Sequence, residues 1–395
     1  MIVLAGGDIV LPDRILTSAS LIIDQGRIVA IDSTRGAPAG TSVVDVHDSY
    51  VVPGFVDLHV HGIEGHDTLD GAGALAEIAK RLPRYGVTAF CPTTVACAPA
   101  ELSLTLQQIA DARVGRPSGA ARVLPAHLES NFINPEYKGA QPVACLRLPT
   151  DARRDGEFSG RDILDVIEAR QADVGIVTVA PEIDGALELI PRLVRAGHRV
   201  SLGHSAADYD EAVAAIDAGA RHATHLFNRM TPITHRAPGL AGAVLSHDEV
   251  KAELICDGFH VHAAMSRLAI AAKGVDGVMA ITDGTAGAGL PPGSMTRLGG
   301  RPIRVSDQAA LLEDGTLAGS TLTMDRAFRN IVTMFHASIV QAAIMCSTTP
   351  ARALGLTGFG VIAEGNVADL VVLDRGFRVV RTFIDGEEVF SRGPT

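Results

Sequence analysis

The chain has 395 residues, with 34 basic and 45 acidic side chains, so its formal net charge is −11. Hydrophobic residues make up 47% and charged residues 20%, which excludes a disordered chain, and the 41 glycines and 20 prolines follow no short period, which excludes a collagen-like or low-complexity one. The acidic balance argues against nucleic acid as a partner, because nonspecific binding needs a basic face that displaces counterions. An anionic small molecule would need its own local Arg or His cluster. The five cysteines (Cys91, Cys97, Cys145, Cys256, Cys346) are odd in number and lack CxxC spacing, so they predict neither a disulfide framework nor a zinc knuckle. The opening MIVLAGGDIVLPDRIL has no basic stretch followed by a long apolar one, and no run of about 18 apolar residues occurs, so neither a signal peptide nor a membrane span is expected. These features together predict a cytoplasmic protein.

Residues 20–23 and 27–31 are β-type runs around the turn Asp24-Gln25-Gly26, the pattern of a hairpin. The middle of the chain alternates strand-like and helix-like segments. Strands are predicted at 54–60, 88–95, 122–129, 174–181, 199–204, 222–227, 251–257 and 277–283, with amphipathic helices at 71–84, 161–171, 184–196, 207–219 and 263–273 among the segments between them. Eight such strands point to a (β/α)8 TIM-like barrel, with a doubly wound open sheet as the alternative. The end is strand-rich again, at 368–374 and 379–384 before the turn Asp385-Gly386. The expected fold class is therefore α/β: a barrel over 53–350 with a small β-sandwich domain built from both termini, 1–52 and 351–395.

Reactive residues gather at the C-terminal ends of the predicted strands. The first strand leads into His59-Val60-His61, the third into His127-Leu128-Glu129 and the fifth into Gly203-His204-Ser205; the sixth contains Thr224-His225-Leu226, and the eighth leads into Thr282-Asp283-Gly284. In a barrel those ends share one mouth, where active sites are built. Residues two apart on a strand share a face, so His59 and His61 are expected to point together. A single histidine at a strand end is more often structural than ligating, and that reading is given to His47, His66, His198, His222, His235, His247, His262 and His336. Four histidines, one Glu and one Asp at a common mouth are not explained by packing, because buried charges need partners. Imidazole with carboxylate is the ligand set of a divalent metal in a hydrolytic site, Zn2+ first, with Fe2+ or another divalent ion as the alternative.

The run PGFVDLHVHG (53–62), together with the later His, His and Asp, resembles the amidohydrolase superfamily. HLESNFINPEYKGAQ (127–141), VTVAPE (177–182), LGHSAA (202–207), THLFNRMTPITHRAPG (224–239), DGFHV (257–261), ITDGTA (281–286) and GTLAGSTLTMDRA (315–327) narrow the resemblance to N-acetylglucosamine-6-phosphate deacetylases. The resemblance implies that Glu129, His204 and His225 hold a principal metal. It implies a second metal on His59 and His61, with Glu129 bridging, so one or two ions are expected. Asp283 is implied as the general base and then general acid, acting on water that the metal acidifies. Asn228, Arg236 and His260 are implied to bind the sugar phosphate, with Arg236 reaching across from a neighbouring subunit of a homodimer. The backbone at Leu317, Ala318 and Gly319 is implied to line the sugar.

Four residues depart from the family pattern. Ser130-Asn131 stands where Gly-Pro is usual, Gln141 stands where a substrate-binding His is usual, and Arg229 replaces a small residue. Gln141 becomes a candidate donor to the amide oxygen, and Arg229 a candidate phosphate ligand. The reaction class is untouched by these changes, whereas the sugar is less fixed. Alternative readings are deacetylation of N-acetylgalactosamine-6-phosphate or another N-acylated amino sugar, and a non-catalytic scaffold of the same ancestry. A cyclic-amide hydrolase or deaminase usually carries a carbamylated Lys or an HxxE helix, and none of the four lysines falls at the C-terminal end of a predicted strand.

Overall fold

The computed structural model describes residues 1–32, 40–71, 73–151 and 157–393. Its centre is a sheet of eight parallel strands: Phe55–Val60, Val87–Thr94, Ala126–Leu128, Val174–Val179, Arg199–Leu202, His222–Ala223, Lys251–Ile255 and Val278–Ile281. Each pairs in parallel with the next. The sheet closes where Val60 bridges Gly284 and the His61 amide donates to the Gly284 carbonyl at 2.8 Å. Every residue of the first two strands is buried. Such near-continuous apolar runs belong to strands covered on both faces. The fold is the expected (β/α)8 barrel.

Several predicted strands are longer than the observed ones, for local reasons. The third breaks into Arg122–Val123 and Ala126–Leu128 around Pro125, which has no amide hydrogen for a ladder. The fifth, sixth and eighth stop before His204, His225 and Asp283, whose φ angles are 49°, 29° and 49°. A residue in the left-handed region ends a strand and re-aims the chain.

Helices Gly160–Ala169, Ala186–Arg195, Tyr209–Asp217 and Ala263–Lys273 match predicted segments, and the first and third start with capping boxes at Ser159/Asp162 and Asp208/Glu211. Segment 71–84 resolves into the helix Ala74–Arg81 and a 3-10 turn, Leu82–Tyr85, with Pro83 inside it. Helices at Pro99–Val114, Gly239–Ser246 and Met324–Thr333 extend the predicted set. In Pro99–Val114 the buried face Leu102, Thr105, Leu106 and Ile109 has helical spacing, but Leu104 and Val114 are 57% and 92% exposed and blur the pattern. A three-stranded antiparallel insert, Met295–Leu298, Arg301–Val305 and Ala310–Leu311, packs on Val95 and Ala318 beside the barrel mouth.

Strands from both termini form the small β-sandwich. Ser49–Pro53 pairs on one side with Ile2–Val10 and on the other with Leu370–Asp374. Ile15–Asp24 and Arg27–Asp32 form the first hairpin, while Val379–Ile384 and Glu387–Ser391 form the last. Leu4, Leu21, Ile28, Val51, Leu370 and Phe383 make a core separate from that of the barrel. Among the described residues no helix is long and apolar enough to cross a membrane. All five cysteines are free.

Candidate metal centre

The six residues singled out at the strand ends meet in one buried cluster. Glu129 Oε1 lies 2.9 Å from His204 Nε2 and 2.8 Å from His225 Nε2, and those two nitrogens are 3.0 Å apart. On the other side of the same carboxylate, His61 Nε2 lies 3.4 Å from Glu129 Oε2 and 3.2 Å from His59 Nε2. Asp283 Oδ1 stands 3.4 Å from both of these nitrogens. Glu129–His204–His225 and Glu129–His59–His61 are thus two ligand groups that share Glu129.

The donor set fits a cation. Facing Nε2 atoms cannot both donate to one another, and their spacings are close to the roughly 3.3 Å between ligands ~2.0–2.1 Å from a tetrahedral ion. Electrostatics agree. Burial opposes the charged form of His59, yet Asp283, Glu253 and Glu129 outweigh it and push its pKa up to about 9. His61 is pushed up to about 10, against burial, by Asp283 and Glu129. Burial would raise the pKa of Glu129 and Asp283, but facing histidines hold both below the usual carboxylate range. The cluster calls for positive charge, which a divalent metal supplies.

Neighbouring loops aim these side chains. His204 Nδ1 is bonded to the Tyr137 carbonyl at 2.8 Å, leaving Nε2 for the centre. Glu182 braces the turn behind it, accepting from Ser205 Oγ at 2.7 Å and from the Ala206 amide at 2.6 Å. Asp57 accepts from Thr282 Oγ1 at 2.6 Å across the closing seam, and Ser320 donates to the Thr282 carbonyl at 2.6 Å and, through its amide, to Asp283 O at 2.7 Å. Gly319 is required beside them: its φ is +57°, and an added Cβ would lie 2.8 Å from Asp283 O. The Ser130-Asn131 departure anchors the loop after Glu129. Asn131 donates to the carbonyls of Cys97 and Cys145 at 2.8 and 2.7 Å.

The centre opens into a cavity of about 380 Å3 lined in part by Gln141, Asn228, Arg229, His260, Leu317 and Gly319. Gln141 is buried; its Oε1 accepts from the Ala96 amide at 2.7 Å and its Nε2 donates to Glu129 Oε2. Gln141 therefore contacts a predicted ligand, with one amide hydrogen left for a bound molecule. His260 Nδ1 is held by Asp257 at 2.6 Å, and its buried Nε2 has no hydrogen-bond partner among the described residues. Burial disfavours the His260 cation, but the Asp257 bond outweighs this and raises its pKa. Two of the predicted substrate-binding residues are not at the cavity wall. Ala318 packs in the apolar cluster under the insert, and Arg236 is exposed in a separate cleft with Tyr209 and Pro232.

The sequence reading did not single out Glu253, Asp57 or Glu182. Glu253 and Asp57 are acidic residues inside largely apolar strand runs, KAELI and FVDLHV, and that is the signal that finds them. His127 forms a third group with His59 and Glu253. Its nitrogens are bonded to Leu58 O at 3.1 Å and Thr178 Oγ1 at 2.9 Å, and burial lowers its pKa to about 4, so it braces the centre as a neutral ring. Several histidines given the structural reading have structural bonds: His198 with Val174 O at 2.8 Å, His247 with Ala243 O at 2.8 Å, and His262 as a helix cap.

A larger cleft, about 970 Å3, lies at the opposite end of the barrel and is lined by Arg113, Arg116, Arg122 and Arg199. Its guanidiniums are engaged: Arg113 with Asp173, Arg116 with Asp385, Arg122 with Asp369 and Asp385, and Arg199 with the Ala353 carbonyl.

Comparison with known proteins follows the same lines. The model of the Amidohydrolase family matches residues 50–389. The chain is 36% identical to an N-acetylgalactosamine-6-phosphate deacetylase of Escherichia coli O157:H7, over 94% of this chain and 95% of that protein. It is 34% identical to an N-acetylglucosamine-6-phosphate deacetylase of Bacillus subtilis (strain 168), over 97% and 95%. Among solved structures, an aspartate-to-alanine mutant of N-acetyl-D-glucosamine-6-phosphate deacetylase from Mycobacterium smegmatis, in complex with N-acetyl-D-glucosamine-6-phosphate, superposes with a TM-score of 0.88 at 33% identity, covering 99% of each chain.

Proposed function

The chain belongs to the amidohydrolase family, and from that premise we propose that it hydrolyses N-acetylglucosamine-6-phosphate to glucosamine-6-phosphate and acetate. One observation carries this reading: Glu129, His204, His225 and Asp283 converge on a single cavity, in a chain that matches deacetylases of phosphorylated amino sugars over nearly its whole length.

Glu129, His204 and His225 would hold the principal ion, and His59 and His61, with Glu129, would hold a second. A divalent ion bound there, with zinc best suited to this nitrogen and oxygen donor set, would supply Lewis acidity toward the amide carbonyl and toward water. Asp283 accepts the proton of the attacking water through its carboxylate and then donates it to the departing nitrogen, since an amine must be protonated to leave. The free hydrogen on Gln141 Nε2 is a donor for charge developing on the amide oxygen. His260, favoured in its charged form, and Arg229 supply local positive charge for the phosphate in an otherwise acidic protein. Asn228 and the backbone at Leu317 and Gly319 orient the sugar. Arg236 is remote from the cavity of its own chain and acts in the neighbouring site of a homodimer. The reaction belongs in the cytoplasm, where phosphorylated sugars are found.

The Escherichia coli relative supports a second reading, the galactosamine epimer. An acetate-release panel of both 6-phosphates and their unphosphorylated sugars separates the two. Fastest release from the gluco 6-phosphate is expected, fastest release from the galacto 6-phosphate selects the second reading, and no release from any of them contradicts both.

A further inference from the structure

Glu253 occupies the middle of the seventh barrel strand, and its side chain is completely buried. Its Oε2 accepts two hydrogen bonds, from His59 Nδ1 at 3.0 Å and from the backbone amide of His225 at 3.2 Å. The first bond fixes a tautomer. With the hydrogen on Nδ1, the lone pair of His59 lies on Nε2, the atom 3.2 Å from His61 Nε2 and 3.7 Å from Glu129 Oε1. The second bond holds a strained backbone. His225 has φ 29°, a conformation that persists only when its surroundings fix it, and in that conformation its Nε2 reaches Glu129 Oε1. One buried oxygen therefore ties together ligands from both sides of Glu129.

We propose that Glu253 is a positioning residue: it aims His59 and anchors the His225 turn, and so makes His59–His61–Glu129 a second ion site beside Glu129–His204–His225. His127 completes the support from behind, its Nδ1 3.6 Å from Glu253 Oε1. A carboxylate bonded to the far nitrogen of a ligating imidazole commonly changes metal affinity 10–100-fold. The inference rests on the metal centre described above but is separable from the deacetylase reading, because ion binding is counted without substrate.

The test is calorimetric titration of the metal-stripped full chain with Zn2+ alone. The unaltered chain is expected to take two equivalents. Glu253→Leu removes the acceptor and is expected to weaken the second equivalent at least tenfold and the first by less. Glu253→Gln keeps an acceptor oxygen of the same reach and is expected to retain the second equivalent within a few-fold. That result stands even if the Leu variant fails to fold, which its melting temperature reports. A single equivalent in the unaltered chain, an unchanged second equivalent in a folded Glu253→Leu, or loss of it in Glu253→Gln overturns the proposal. Acetate release, measured separately, tests the deacetylase reading.

Discussion

The two ends of the barrel carry charged residues in opposite ways. At the strands' N-terminal ends the cleft is the larger, about 970 Å3 against about 380 Å3, and its arginines are matched to carboxylates or carbonyls. At the C-terminal ends, buried histidines and carboxylates crowd within 2.8–3.7 Å of one another, and three of the residues bearing them sit at positive φ. Strain of about 1–3 kcal/mol per such residue is sustained only where its surroundings over-determine it. On the proposed function, cavity size does not mark the working end of this molecule. Unbalanced buried chemistry on a strained backbone does.

That contrast has consequences that differ by end. The largest expected effect is at the mouth: Asp283→Asn should lower turnover by roughly 10²–10⁴ while keeping metal content and melting temperature, because Asn can neither accept nor donate the needed proton. Turnover within a few-fold of the unaltered chain would remove Asp283 from the chemistry. At the opposite end, Arg122→Ala leaves Asp369 buried without the charge that lowers its pKa against burial. It should cost about 2–4 kcal/mol of stability with kcat unchanged, read by denaturant unfolding beside steady-state kinetics. A loss of kcat without loss of stability would give that end a catalytic role and erase the distinction.

Gln141→Ala should cost about 2–3 kcal/mol in kcat/KM, chiefly through kcat, if its free hydrogen meets charge in the transition state. An unchanged kcat would reduce Gln141 to a brace on Glu129. Arg236→Ala should change kcat little and raise KM for the phosphorylated sugar about tenfold, as loss of uniform binding does. Mixing that variant with Asp283→Asn sharpens the point. If Arg236 serves the neighbouring subunit, a mixed dimer should hold one site with both residues intact and recover low-KM turnover that neither parent shows.

Much of this was legible in the sequence, and what was not has physical reasons. The barrel strands read clearly because fully buried strands are apolar runs, and the candidate metal centre read clearly because HxH, Glu129, His204, His225 and Asp283 all fall at strand ends. The early stops at Leu202, Ala223 and Ile281 were hidden, since nothing in residue type announces a His or Asp at positive φ. Gln141 was read as a substrate donor, and its bond to Glu129 depends on a loop that returns to Ala96, which no local pattern reveals. The insert strands at 295–311 went unread because their exposed faces break the alternation. Glu253 was readable as a charge in the run KAELI, but its partners lie 28 and 194 residues away.

The most direct test of the metal centre as the working site is acetate release from N-acetylglucosamine-6-phosphate by the chain as isolated, stripped with a chelator, and reloaded with Zn2+. Activity should fall to background on stripping, with the fold retained, and return on reloading. Undiminished release from a chain shown to be metal-free would contradict it.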